Sequence, residues 1–155
     1  MLITPTVRLA APQHASAIAQ MSRDYIEHGL GWSWEDARVL RAIREPSTNV
    51  AVIADGGYVQ AFGIMQYSDD TAHLSLFAVQ PSCRRKGLGS ALLSWLEQPA
   101  HAAGIGRIRL EARADNPGAL AFYRRAGYAD AGRASGYYGG AIDAVRLMKN
   151  LAPAG

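Results

Sequence analysis

Three consecutive cations run into a pair of glycines at Arg84-Arg85-Lys86-Gly87-Leu88-Gly89. Leu88, Ala91, Leu92, Trp95 and Leu96 then repeat at the spacing of a helix with one apolar face. A loop that opens a helix gathers unpaired backbone N–H groups and the positive end of the helix dipole at one point. The chemistry this offers is phosphate binding. Glycine at 87 and 89 keeps Cβ atoms out of an anion's way, and Arg84 to Lys86 supply mobile counter-charge. A nucleoside-triphosphate loop would end in Gly-Lys-Ser or Gly-Lys-Thr, which is missing, and a dinucleotide loop would carry a third glycine where Leu92 stands. A basic turn leading into an ordinary helix explains the same residues, so this segment alone leaves both readings open. Cys83, beside the loop, has no adjacent base in sequence and is not read as a nucleophile. His14, His28 and His101 lack metal-ligand spacing, and no metal is expected.

The elements that must position this loop follow from periodicity. Pro5 to Leu9 reads as a first strand. Ala15, Ile18, Ala19, Ser22, Tyr25 and Ile26 give a helix that ends near His28-Gly29. Gly29 to Trp34 is a glycine-punctuated linker, and Ser33 is the expected cap of a second helix through Ala37, Leu40 and Ile43 that Pro46 stops. Val50 to Ala54 and Tyr58 to Tyr67 form a hairpin about Asp55-Gly56-Gly57, and His73 to Val79 is a third strand beyond the turn at Asp69-Asp70. After the helix from Leu88, which runs out before Gly104, Arg107 to Arg113 is a strand. Asn116-Pro117 caps and starts a short helix ending at Gly127. Tyr128 to Arg133 and Ala141 to Met148 are the last strands, around an expected loop from Ala134 to Gly140. The order is βααβββαβαββ.

Composition narrows the class. In 155 residues, 49% are hydrophobic and 19% charged, which suits a folded core and excludes a disordered chain. A single cysteine excludes a disulfide-stapled scaffold, and no apolar run approaches the roughly 18 residues of a membrane span. The N-terminus lacks the basic and apolar regions of a secretory signal, so a cytoplasmic protein with no membrane partner is expected, with residues 1–155 as one domain. Sixteen Lys plus Arg against 13 Asp plus Glu give a net charge of +3. That weak excess is consistent with an anionic ligand. Only Lys86 and Lys149 are lysines, so the lysine-rich arms of nucleic-acid binders are missing and no nucleic-acid partner is expected.

Taken together, three segments resemble the GNAT superfamily of acetyl-coenzyme A dependent N-acetyltransferases. They are Leu76-Phe77-Ala78-Val79-x-Pro81, Arg84-x-x-Gly87-x-Gly89-x-Ala91-Leu92-Leu93, and Asn116-x-x-Ala119-x-x-Phe122-Tyr123-x-x-x-Gly127-Tyr128. Element order and spacing agree over residues 7 to 149. The resemblance implies an α/β (α+β) domain whose mixed, mostly antiparallel sheet of about seven strands is flanked by about four helices. Two strands would splay at the cofactor cleft. It also implies acetyl-coenzyme A as cofactor. Phe77, Ala78 and Val79 on the splayed strand would bond the pantetheine arm, and Arg84, Arg85, Lys86, Gly87, Leu88, Gly89 and Ser90 would hold the pyrophosphate. Asn116 would reach the pantetheine region while capping its helix.

The implied chemistry is direct attack of a neutral amine on a thioester carbonyl. Such a reaction needs a base for the amine, a donor to the developing oxyanion and a proton for the leaving thiolate. The resemblance casts Tyr123 as the acid and the backbone N–H of Val79 as the oxyanion donor. It offers two candidates for the base. Glu111 matches a glutamate of the bacterial ribosomal-protein alanine N-acetyltransferases, whose C-terminal segments Tyr137-Tyr138 and Asp143-Ala144 also resemble. His73 lies where another branch keeps a glutamate, and an imidazole suits proton abstraction at neutral pH. Glu111 is ranked slightly ahead. The alternatives are a surface partner of Arg109 or Arg113 for Glu111 and an exposed strand position for His73.

The acceptor pocket is expected from the linker and the last loop, with Trp32, Trp34, Tyr137 and Tyr138 as its aromatics and Glu27 or Asp24 as partner for an ammonium group. Packing of the helices on the sheet would explain Trp32 and Trp34 as well. The leading expectation is acetyl transfer to a primary amine of a small molecule. Transfer to a protein N-terminus comes second, and a non-catalytic acyl-coenzyme A sensor is the alternative of another class. Edge strands near the C-terminus allow a homodimer.

Overall fold

The structure, a computed structural model, describes residues 5–140 and 142–152. The sheet has seven strands in the order β1-β2-β3-β4-β5-β7-β6. These are β1 (Arg8–Leu9), β2 (Thr48–Asp55), β3 (Tyr58–Tyr67), β4 (Thr71–Val79), β5 (Arg107–Arg113), β6 (Ala129–Tyr138) and β7 (Ile142–Asn150). Helices α1 (Ala15–Met21) and α2 (Asp36–Arg44) precede β2; α3 (Leu88–Ala102) links β4 to β5, and α4 (Pro117–Arg125) links β5 to β6. Among the described residues only β4 and β5 pair in parallel, because α3 carries the chain back across the sheet between them. Among the described residues no helix is long and apolar enough to cross a membrane.

Alternation along the strands divides the core in two. Ala51, Ile53, Ala61, Met65, Leu74, Ile108 and Leu110 join α3 and α4 on one face. Val50, Val52, Phe62, Ile64, Leu76 and Ala78 join α1 and α2 on the other.

The element order follows the sequence reading, with four differences. The first strand is confined to Arg8–Leu9 rather than reaching back to Pro5. The first helix widens into a π turn over Ser22–Ile26. The second helix begins at Asp36, and Ser33 does not cap it; the N-cap position is Glu35, which makes no side-chain cap bond. The Ser33 N–H and hydroxyl instead go to Glu27. The expected loop from Ala134 to Gly140 is mostly strand, since Ala134 pairs with Ala144 and Tyr138 with Ile142, leaving Gly139-Gly140 as the turn. Ala141, the expected start of the last strand, lies outside the described residues.

Candidate active site

The parallel ladder between β4 and β5 runs from Thr71↔Arg107 to Leu74↔Leu110 and stops. Beyond it β4 continues beside β3 as far as Val79, and β5 continues beside β7 as far as Arg113. The two strands therefore part, and a cleft of about 980 Å³ opens between them. Gln80 donates its N–H to the Gln60 carbonyl across β3. Alternation then turns the peptide groups of Phe77 and Val79 toward the open side, where no strand satisfies them.

A bulge sets which side chains meet there. Ile64 pairs with Leu76 but Met65 pairs with Leu74, so Ser75 is an extra residue on β4. Before it, Ala72 and Leu74 face α3 and α4, which leaves His73 facing the α1/α2 side. After it the sense reverses: Leu76 and Ala78 face α1 and α2, while Phe77 and Val79 pack on the α3/α4 side. Glu111 lies between Leu110 and Ala112 of the α3/α4 core and points the same way as His73. The two base candidates are thus one unit, with His73 Nε2 2.7 Å from Glu111 Oε1. The Tyr137 hydroxyl donates to the same oxygen at 3.1 Å, and an Arg109 Nη1 lies 3.6 Å from Glu111 Oε2. The hydrogen bond from His73 is the chief reason the Glu111 carboxyl titrates below the usual carboxylate value.

Tyr123 stands on the opposite side. Its ring packs edge-on against Phe77, Phe122 and Tyr128, with centroids at 6.1, 5.3 and 5.9 Å. It lines the cleft although only 7% of it is exposed. Burial, and then Tyr138, push its phenol well above the ordinary tyrosine value, so it is protonated at neutral pH.

The loop from Arg84 to Gly89 forms the far wall. Arg84, Arg85, Gly87, Leu88, Gly89 and Ser90 line the cleft; Lys86 is exposed and does not. Gly87 is the N-cap of the 15-residue α3 at φ +77°, a conformation that favours glycine. Gly89 is constrained for a different reason: a Cβ there would lie 3.2 Å from the Phe122 ring, which would have to give way. Asn116 caps α4, accepting from the Ala119 N–H at 3.1 Å, and lines the cleft as well.

On the acceptor side Glu27 is already engaged by its neighbours, and Trp32 departs from expectation. Glu27 is buried and accepts from the Ser22 hydroxyl, the Ser33 N–H and hydroxyl, and the Trp34 N–H. It lines the cleft, and these four bonds tie its carboxylate to the linker. Trp32 does not line the cleft: its indole N–H donates to the Ala19 carbonyl at 3.2 Å, and its ring packs on the α1/α2 core. Trp34 does line it, with the Arg38 guanidinium 3.9 Å above its ring. Tyr137 and Tyr138 also line it, and the Tyr138 hydroxyl donates to the Glu111 carbonyl at 3.0 Å. Asp24 is exposed and stands off the cleft wall.

Two contributors escaped the sequence reading. Arg113, 6% exposed, donates from Nη1 to the carbonyls of Ile26 and His28 at 2.9 Å each and forms a two-pronged pair with Asp115. It ties the linker to β5. A long cation at the end of a strand otherwise alternating in polarity was its only signal. Ser75 is the other, and its place depends on a bulge that no residue pattern announces.

Residues 16–128 match the Acetyltransferase (GNAT) family. The chain belongs to that family. A curated relative, the [ribosomal protein bS18]-alanine N-acetyltransferase of Escherichia coli (strain K12), is 37% identical over 86 residues, 56% of this chain. The match spans 58% of that relative's own length. The crystal structure of the Escherichia coli ribosomal-protein-S18-alanine N-acetyltransferase superposes with a TM-score of 0.80 at 27% identity, over 98% of this chain and 97% of that one. Ard1 from Thermoplasma volcanium superposes with a TM-score of 0.83 at 26% identity, over 97% and 99%. GNAT acetyltransferases work with acetyl-coenzyme A, and the cleft fits that group. It offers an open strand edge for an amide-bearing arm and a helix start with two adjoining arginines for a pyrophosphate.

Proposed function

We propose that this GNAT chain is a cytoplasmic N-acetyltransferase that moves an acetyl group from acetyl-coenzyme A to the α-amine of a protein N-terminus, in one ternary complex. The observation that carries the reading is the two-sided cleft. The His73–Glu111 pair lies on the α1/α2 side of the sheet and Tyr123 on the α3/α4 side, with Phe77 to Val79 between them. A direct transfer needs that separation, because the proton leaves the amine on one side and is returned on the other. The peptide acceptor is supported by the bS18-alanine N-acetyltransferase, which shares 37% of 86 residues with this chain.

When bound, acetyl-coenzyme A supplies an acyl group activated as a thioester. Phe77 and Val79 would hold the amide-bearing arm by peptide groups that no strand pairs, the Val79 carbonyl exchanging its 3.4 Å bond from Arg84 Nε for the arm, and the α3 start with Arg84 and Arg85 would hold the phosphates. The Val79 N–H, unpaired by any strand, would donate to the acyl oxygen. The His73–Glu111 pair takes the proton of the acceptor ammonium. Tyr123, kept protonated by its burial, gives a proton to the departing sulfur. Asn116 keeps α4, and so Tyr123, in place.

A small primary amine is the second reading, and one contact favours it. Leu30 of the linker and Gly139 of the β6–β7 turn both line the cleft and lie so close that a Cβ on Gly139 would be 3.4 Å from Leu30, so the two segments meet over the acceptor side. Thiol release measured against N-terminal peptides and small amines decides between them. Peptides turned over with the higher kcat/KM support the first reading; turnover of small amines alone replaces it with the second. Coenzyme A binding without release for any acceptor would leave a non-catalytic sensor.

A further inference from the structure

His73 is held from both ends. Nε2 lies 2.7 Å from Glu111 Oε1, and Nδ1 lies 3.4 Å from Ser75 Oγ. Ser75 and Glu111 line the cleft; His73 does not. The imidazole therefore meets the cleft only through one of its two partners. An ionised carboxylate accepts hydrogen bonds and cannot donate them, so the proton on the short bond belongs to Nε2. A neutral ring with Nε2–H carries its free lone pair on Nδ1, the nitrogen that faces Ser75. Glu111 is poorly placed to take a proton itself. Its Oε1 already accepts from His73 and Tyr137, Arg109 sits beside Oε2, and its carboxyl is held in the ionised form.

Resting on the N-acetyltransferase reading, we propose that Ser75 is the proton carrier of the reaction, passing the acceptor's proton to His73 Nδ1 while Glu111 orients and balances the ring. The acceptor ammonium gives one proton to Ser75 Oγ as the Ser75 O–H proton moves to Nδ1. The products are a neutral amine, an unchanged serine and an imidazolium facing ionised Glu111. The side chain of His73 is 21% exposed, which lets the proton leave to solvent before the next turnover. The 3.4 Å separation shortens when the acceptor fills the cleft, as bonds of this kind do on substrate binding. The bulge gives Ser75 this role: as the extra residue at the point where β4 reverses its faces, it reaches both the ring behind it and the cleft in front.

Two measurements test this on the full-length protein. The first is kinetic, with whichever acceptor gives thiol release. Ser75→Ala should lower kcat by about 10- to 100-fold with both KM values within about twofold, and Ser75→Thr, which keeps a hydroxyl, should recover most of the loss. His73→Gln should cost a similar factor, and the double variant should be little worse than either single one, as expected of groups acting in series. A Ser75→Ala enzyme within twofold of wild-type kcat, or fully additive losses, would overturn the proposal. The second needs no turnover: the imidazole nitrogens are observed by NMR in labelled protein with and without coenzyme A, the His73 signals being those lost in His73→Gln. An Nε2–H tautomer with a free Nδ1 supports the proposal, and an Nδ1–H tautomer overturns it. If every acceptor fails while the Nε2–H tautomer is found, the acetyltransferase reading falls and the Ser75–His73–Glu111 alignment stands.

Discussion

Glu27 receives two hydrogen bonds from Ser33, one from the backbone N–H at 2.8 Å and one from the hydroxyl, and so closes the linker between α1 and α2 on itself. Bonds from Ser22 and Trp34 complete the set. Burial by itself would raise the Glu27 pKa, but these four donors outweigh it and hold the value below the usual carboxylate range. A depressed folded-state pKa contributes stability that is present above the unfolded value and is lost as pH falls through the folded one. Glu27→Gln should therefore destabilise the protein at pH 7 by about 1–3 kcal/mol, since it sets an amide donor against donors. The gap in Tm between variant and wild type should close as pH is lowered from 5 toward 3, as thermal melts across that range will show.

Arg113 acts on the same linker from the other side. Its Nη1 bonds the carbonyls of Ile26 and His28, both at the end of the first helical segment, while Nε and Nη2 grip Asp115. No other side chain supplies planar donors in these directions at once, and lysine supplies a single mobile ammonium. Arg113→Lys should raise the acceptor KM by about tenfold and cost about 2 kcal/mol of stability as buried carbonyls lose their donor. Coenzyme A affinity, measured by calorimetry, should stay within twofold if the loop from Arg84 to Gly89, on the opposite wall, holds the phosphates as proposed.

The two glycines of the loop from Arg84 to Gly89 should fail for different reasons. Gly87→Ala meets no atom within 4 Å but must hold φ near +77°, which costs about 1–2 kcal/mol for a residue with a Cβ. Gly89→Ala has no such strain and instead drives its Cβ to 3.2 Å from Phe122. Adding Phe122→Leu should therefore recover much of the stability lost in Gly89→Ala and none of that lost in Gly87→Ala, a coupling that a double-mutant cycle on Tm or urea midpoint will measure.

How far this was legible beforehand depends on range. Arg107–Arg113 alternates in polarity within seven residues, and Asn116-Pro117 signals a helix start within two, so both were readable with their bounds. The segment from Ala134 is rich in small residues and glycine and reads as loop by local composition, yet β7 supplies partners that make it strand. Tertiary pairing overrode local propensity there. Ser33 followed a similar course: a serine before a helix is a good cap, but buried Glu27, six residues back, competes for the same hydroxyl. The union of His73 with Glu111 was out of reach for another reason. It depends on the parallel register that sets His73 beside Arg109, and that register leaves no trace in residue type.

Tyr123 carries the last test. Its ring is fixed by Phe77, Phe122 and Tyr128, so removing only the hydroxyl should leave packing intact. Tyr123→Phe should then melt within a degree or two of wild type and bind coenzyme A normally, while kcat falls by about 10²- to 10⁴-fold, the usual worth of a positioned proton donor. The pH profile separates this role from a merely structural one. Burial, with Tyr138 nearby, raises the Tyr123 pKa, so the phenol stays protonated across neutral and mildly alkaline pH and its ionisation cannot produce a falling limb below pH 10. The wild-type profile should rise from acid pH as the amine and its base lose protons and then stay level to about pH 10. An alkaline limb below that point which vanishes in Tyr123→Phe would mean that the phenol ionises in that range, and the proton for the departing sulfur would have to come from elsewhere.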